Sequence, residues 1–139
     1  MYVEWRWEWS FEILPQMLWA TLNTFLAAGV GYAIAAIVGI LFMLGQRTSY
    51  KIINIPTREI VEFIRSTPLL VQLFFVYFVA PQFGLTLSAW VCAMITIGLH
   101  YGTYLSEVYR GALEGVPKTQ WEACKALNFS TAYNYRKII

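Results

Sequence analysis

The sequence predicts an all-α fold, a polytopic membrane helical bundle of three transmembrane spans followed by a cytoplasmic helical segment. Three observations carry that prediction. Hydrophobic residues make up 58% of the chain and charged residues only 13%, roughly half the charged share of a soluble domain, so the bilayer is the expected solvent. Formal charge is absent from Ile13 to Gln46 and again from Ser66 to Ser106. Small residues recur at every fourth position, Ala27, Gly31, Ala35 and Gly39, which opens a groove where a second helix backbone can approach and favours a packed bundle over a lone anchor.

The first span is expected at about residues 15–44. Read as a helix, Leu18 to Leu44 extends about 40 Å, enough to cross a hydrocarbon core of about 30 Å with tilt. Charges return at Arg47, Lys51, Arg58 and Glu59, and Glu62 and Arg65 stand three apart, where a helix lets them pair. The uncharged run from Ser66 to Ser106 is too long for one crossing, and Pro81 and Gly84 supply the break. The second span is therefore expected at about 60–79, with Pro68 in its early part, and the third at about 89–108. Segment 45–59 holds three bases and segment 80–88 holds none, whereas the segment at about 110–139 holds Arg110, Lys118, Lys125, Arg136 and Lys137. The base-rich segments face the cytoplasm, so the N-terminus lies outside.

That N-terminus carries Glu4, Glu8 and Glu12 against Arg6. It opposes the cationic start of a secretory signal and is expected to be retained. Trp5, Trp7 and Trp9 fit an interfacial belt or a surface packed on a partner.

In the tail, Gly115-Val116-Pro117 breaks the chain before a short helix. Thr119 and Glu122 have capping-box spacing, and Ala123, Ala126 and Leu127 are expected to line one face. Asn128 tolerates the left-handed conformation that ends many helices. Such a helix either lies on the membrane surface or docks a partner.

Net charge is +2 and the bases come as singles and pairs, which excludes a nucleic-acid footprint. Cys92 sits in an apolar run and Cys124 in a polar one, so neither a disulfide nor a metal site is indicated. No Walker A pattern is present, so nucleotide must bind elsewhere. The polar groups within the spans are functional candidates. His100, Tyr104 and Glu107 share one face of the third span. Glu107 stands three residues before Arg110 and reads foremost as an interface salt bridge. His100 either contacts solute along a path or bonds a neighbouring helix, and Gln72 has the same two readings. Pro68 frees backbone groups, as a simple kink or as the broken helix of a transport path. Gly98, Gly102 and Ser106 serve close packing.

Glu122-Ala123-Cys124, three residues, Asn128, nine residues and Ile138 resembles the cytoplasmic signature of binding-protein-dependent ABC importer permeases. That signature reads Glu-Ala-Ala, three residues, Gly, nine residues, Ile. Cys124 replaces an Ala, small for small, and Asn128 replaces the Gly. The segments Glu62 to Phe75 and Tyr104 to Gly111 are similar to polar amino-acid permeases. Together with Gly98 to Tyr104 and Ala126-Leu127-Asn128, they look most like the ectoine/hydroxyectoine branch.

The resemblance implies a permease subunit of the bacterial inner membrane, without catalytic, metal or cofactor residues of its own. It implies as partners an ATP-binding cassette ATPase subunit that binds the ATP, a second permease subunit of the same or a homologous kind, an extracytoplasmic solute-binding protein and membrane lipid. Glu122, Ala123, Cys124, Leu127 and Asn128 would couple to the ATPase, Glu122 by capping its helix or by pairing with the ATPase. Thr67, Pro68, Gln72, His100, Tyr104 and Glu107 are the candidate path residues. Such permeases are longer, so the chain is expected to be C-terminally truncated, with three spans and most of a coupling loop. A scaffold subunit of a larger membrane complex would share the composition but leave the signature as coincidence. An intramembrane enzyme would need catalytic groups that do not pair up here.

Overall fold

The computed structural model describes residues 7–137. The uncharged N-terminal run forms one long helix, α1, Trp7–Arg47, with Pro15 inside it. It begins well before the expected residue 15, so Trp7 and Trp9 are helical and exposed; Trp5 of the expected belt lies outside the described residues. Next come α2, Lys51–Ser66, α3, Leu69–Val79, and a 3-10 turn, Ala80–Phe83. Gly84 closes that turn at φ +81°, a conformation open to glycine at no steric cost. The long helix α4, Ala89–Glu114, starts at the predicted residue, where the Ser88 hydroxyl accepts from Val91 N–H at 3.4 Å. It runs past Val108, the expected end of the span. Two short helices follow, α5, Lys118–Ala126, and α6, Thr131–Lys137.

The bundle is apolar outside and small or polar inside. Trp19, Phe25, Leu41, Phe75, Phe78 and Val108 are all exposed. The buried residues of α1 are Gly31, Ala35, Gly39 and Gln46, and those of α4 include Thr96, Gly98, Thr103 and Ser106. Water would penalise such an exposed apolar girdle, whereas lipid tails do not, and helix association in lipid rests on close packing. By length and composition α1 is long and apolar enough to cross a membrane, and the bent pair α2–α3 adds a second crossing if counted as one span. The 26 residues of α4 extend about 39 Å, but α4 is not among the helices apolar enough to cross by that measure; of its polar residues Thr96, His100, Thr103 and Ser106 are buried.

The principal contact joins α1 to α4, and it mates the two small-residue stripes. Gly31 faces Ile97, Gly98 faces Ile34, Gly102 faces Val38, and Gly39 faces Leu105 and the Gly102 carbonyl. A Cβ on Gly102 would stand 2.7 Å from Val38 Cγ1, and one on Gly39 would stand 3.1 Å from the Gly102 carbonyl oxygen. These glycines set the helix separation.

Two expectations are corrected here. The second span is not one helix with a kink, because α2 and α3 meet at 103°. Thr67 and Pro68 are both extended, with ψ 138° and 136°, since the proline ring excludes the helical conformation from the residue before it. The Thr119–Glu122 capping box does not form either. Pro117 occupies the N-cap of α5 with no side-chain bond, so Thr119 already sits inside the first turn. A proline in this extended conformation starts the helix without needing a hydroxyl cap.

Candidate functional site

The elbow between α2 and α3 is built from polar side chains turned back on the chain. Breaking a helix leaves carbonyls without partners, and in a membrane each must be satisfied locally. Ser66 Oγ donates to the Glu62 carbonyl, and Thr67 Oγ1 lies 3.1 Å from both the Phe63 and Ile64 carbonyls. Gln72 reaches back across the break, its Nε2 donating to the Ile64 carbonyl at 2.7 Å, the Thr67 carbonyl at 3.1 Å and Thr67 Oγ1 at 2.7 Å. Thr67, Pro68 and Gln72 thus cluster as a structural joint whose polar groups are engaged with the backbone.

Below the elbow a cleft of about 520 Å³ opens between the ends of α1, α2 and α4, lined by Gln46, Arg58, Glu62, Arg65, Tyr104, Glu107 and Arg110 among others. The helical period of α2 puts Arg58, Glu62 and Arg65 on one face, and the packing of Val61 turns that face inward. Arg110 Nη2 donates to Glu107 at 2.7 Å, and Nη1 donates to both Glu114 oxygens at 2.9 and 2.7 Å. The expected Glu107–Arg110 bridge is therefore present. The expected Glu62–Arg65 pair is not; the Arg65 guanidinium lies 5.1 Å from the ring centroid of Tyr104, whose hydroxyl donates to the Arg65 carbonyl at 3.4 Å. Arg65 thus lies over an aromatic ring of α4.

His100 stands one helical turn from Tyr104 and meets it at 5.2 Å with the rings tilted by 48°, and Tyr101 lies edge-on at 5.3 Å. It is 8% exposed, and its Nδ1 has no hydrogen-bond partner among the described residues. The structure brings Tyr104 and Glu107 into the cleft wall and places His100 just behind them.

In the tail, Asn128 adopts φ 56°, as the left-handed stop requires. Its N–H donates to the Lys125 carbonyl at 3.0 Å, and that of Phe129 donates to the Cys124 carbonyl at 3.1 Å. This pair of bonds is a Schellman closure, which satisfies the last carbonyls of α5. Cys124 is the buried anchor of α5, whereas Glu122, Ala123, Ala126 and Leu127 are exposed. The face they line is thus open, while Cys124 is turned inward. Ile138 of the signature lies outside the described residues.

Sequence reasoning missed Gln46, Asn54 and Arg58. Gln46 is buried and donates to Ser106 Oγ at 3.3 Å, the one buried side-chain bond joining α1 to α4 among the described residues. Asn54 clamps the turn after α1 by donating to the Gln46 carbonyl and to the Thr48 carbonyl at 3.2 Å. A signal for Gln46 existed, since the stripe through Gly39 reaches it seven residues on.

The sequence model for the binding-protein-dependent transport system inner membrane component matches residues 42–139. A probable amino-acid ABC transporter permease of Sinorhizobium fredii is 36% identical over 94% of this chain and 56% of its own length. The nopaline transport system permease of Agrobacterium fabrum is 32% identical over 92% of this chain and 57% of its own. The chain spans somewhat over half the length of these curated relatives. A crystal structure of an amino acid ABC transporter with histidines superposes with a TM-score of 0.72 and 25% identity, covering 98% of this chain and 63% of that one. An inward-facing methionine ABC transporter shares the fold at a TM-score of 0.60 and 23% identity, over 87% of this chain and 58% of that one. This chain belongs to the family of binding-protein-dependent transport system inner membrane components.

Proposed function

We propose that the chain forms the front part of the permease of a bacterial ABC importer for amino acids or zwitterions of similar size, ectoine and hydroxyectoine foremost. The observation that carries the reading is the tail helix, whose signature face, Glu122, Ala123 and Leu127, is exposed beside the anchored Cys124. An exposed face on a rigidly stopped helix suits docking of an ATP-binding cassette subunit, which would bind and hydrolyse the ATP. A second permease subunit and an extracytoplasmic solute-binding protein would complete the assembly. The elbow and cleft support a path: broken helices mark transport routes, and a cleft wall carrying Arg58 and Arg65 beside Glu62 suits a solute bearing both charges. Thr67, Pro68 and Gln72 would hold the joint, and Tyr104 and Glu107, backed by His100, would flank the solute. Base-rich residues 45–59 and the tail face the cytoplasm in this reading, with the N-terminus outside. The ectoine assignment rests on the residues from Glu62 to Phe75 and Gly98 to Tyr104.

The test is capture of the cognate ATPase subunit by the membrane-inserted chain. Capture should be lost in Ala123→Asp, which forces an unpaired charge into an interface, while insertion persists. Undiminished capture by that variant would remove α5 as the docking element. Competition of unlabelled ectoine against amino acids for the cognate binding protein decides the solute.

A further inference from the structure

A second cleft, of about 350 Å³, lies where the membrane helix α1 ends against the tail, lined by Arg47, Lys118, Trp121, Glu122, Lys125 and Tyr135. Three cations face one carboxylate there. None of the four charged groups makes an ion pair among the described residues, so the cleft keeps an uncompensated positive charge. Arg47 is the last residue of α1 and holds the site at the level where that helix leaves the bilayer. Trp121 and Tyr135 meet edge to face at 5.6 Å, and such amphipathic rings settle at the headgroup depth of a membrane.

We infer that this cleft is a binding site for the phosphodiester headgroup of an anionic phospholipid, held by Arg47, Lys118 and Lys125 against the Trp121–Tyr135 pair. Cations in such a pocket beside a membrane helix suit an acidic headgroup, each contributing to attraction at short range. Arg47 supplies a planar fork for two phosphate oxygens, and the lysines supply point charges. Glu122 limits the affinity by repelling the same phosphate. The site does not depend on which solute is transported, although its Glu122 wall belongs to the helix proposed above to dock the ATPase. Inorganic phosphate offers the same chemistry without the acyl chains that would lie along the apolar flank of α1; an acidic protein surface is the competing macromolecule.

The experiment is native mass spectrometry of the chain released from nanodiscs holding equal phosphatidylglycerol and phosphatidylcholine. Phosphatidylglycerol should be retained in preference. The preference should fall on the order of tenfold or more in the triple variant Arg47→Gln/Lys118→Gln/Lys125→Gln, and on the order of fivefold in Lys125→Gln alone. Glu122→Gln should raise it, an outcome that misfolding does not produce. Arg58→Gln/Arg65→Gln, in the neighbouring cleft, should leave it unchanged. Equal retention of the two lipids by the parent, or no response to both Lys125→Gln and Glu122→Gln, overturns the site. Displacement of phosphatidylglycerol by equimolar inorganic phosphate overturns the lipid as its source. Variants that keep the lipid preference but lose capture of polyglutamate overturn it in favour of an acidic protein.

Discussion

Replacing Gly98 by alanine adds one methyl group at the tightest point of the α1–α4 seam. The new Cβ would stand 2.7 Å from Ile34 Cβ and closer still to Ile34 Cγ2. The Ile34 Cβ is tied to its own backbone, so no rotamer relieves the clash and the helices must separate. Overpacking of this kind costs about 1–3 kcal/mol, offset by about 0.5–1 kcal/mol because alanine favours the helix over glycine. Gly29 lies on α1 with nothing within 4 Å of its Cβ position, so Gly29→Ala carries the gain without the clash. Subtracting one variant from the other cancels the propensity term. Gly98→Ala should therefore be less stable than Gly29→Ala by about 1–3 kcal/mol, measured by unfolding the chain in mixed micelles of increasing denaturing-detergent content. Pairing Gly98→Ala with Ile34→Ala should recover part of the loss, with a coupling of about 0.5–3 kcal/mol. Equal stability of Gly98→Ala and Gly29→Ala would refute the claim that these glycines set the helix separation.

Three further outcomes follow from local geometry. Glu122→Ala should change stability by no more than about 0.5 kcal/mol, because Pro117 occupies the N-cap of α5; a loss of about 1–2 kcal/mol in the same micelle titration would reinstate the capping box. Asn128→Ala should cost about 1–2 kcal/mol for forcing a Cβ residue without local hydrogen bonding into φ 56°, whereas Asn128→Gly should be neutral or stabilising in that titration. Gln72→Leu removes the amide bonded to the Ile64 and Thr67 carbonyls, at a cost of about 0.6–1.7 kcal/mol in a membrane. Spin labels at Ile52 and Phe78 should show a broader distance distribution in that variant, and an unchanged one would mean that packing alone sets the bend.

Much of the long-helix architecture was legible in the sequence because it rests on local rules. Glycines and alanines at four-residue spacing announced both halves of the α1–α4 seam, and Asn128 announced the left-handed stop. The elbow was half legible. Pro68 says that Thr67 leaves the helix, but no local rule sets the 103° between the arms, which depends on how α3 lies along α4. The start of α5 offered two competing signals, and proline geometry prevailed over the capping box. The charged cleft was least legible, since its walls come from residues 46, 58–66 and 104–110. Periodicity puts Arg58, Glu62 and Arg65 on one face but does not say what they face. The pull of the Tyr104 ring on Arg65 is a tertiary effect that the Glu62 spacing conceals.

The elbow also gives the molecule leverage. Eleven residues of α3 make an arm of about 16 Å, pivoting on the two extended residues Thr67 and Pro68. Turning that pivot by about 10° swings the far end of the arm through about 3 Å, roughly the width of a water molecule. The bond from Gln72 to Ile64 spans the pivot, and the packing of α3 along α4 holds the arm beyond it. A rotation at the elbow too small to disturb the α1–α4 seam is thus magnified at the other end of α3.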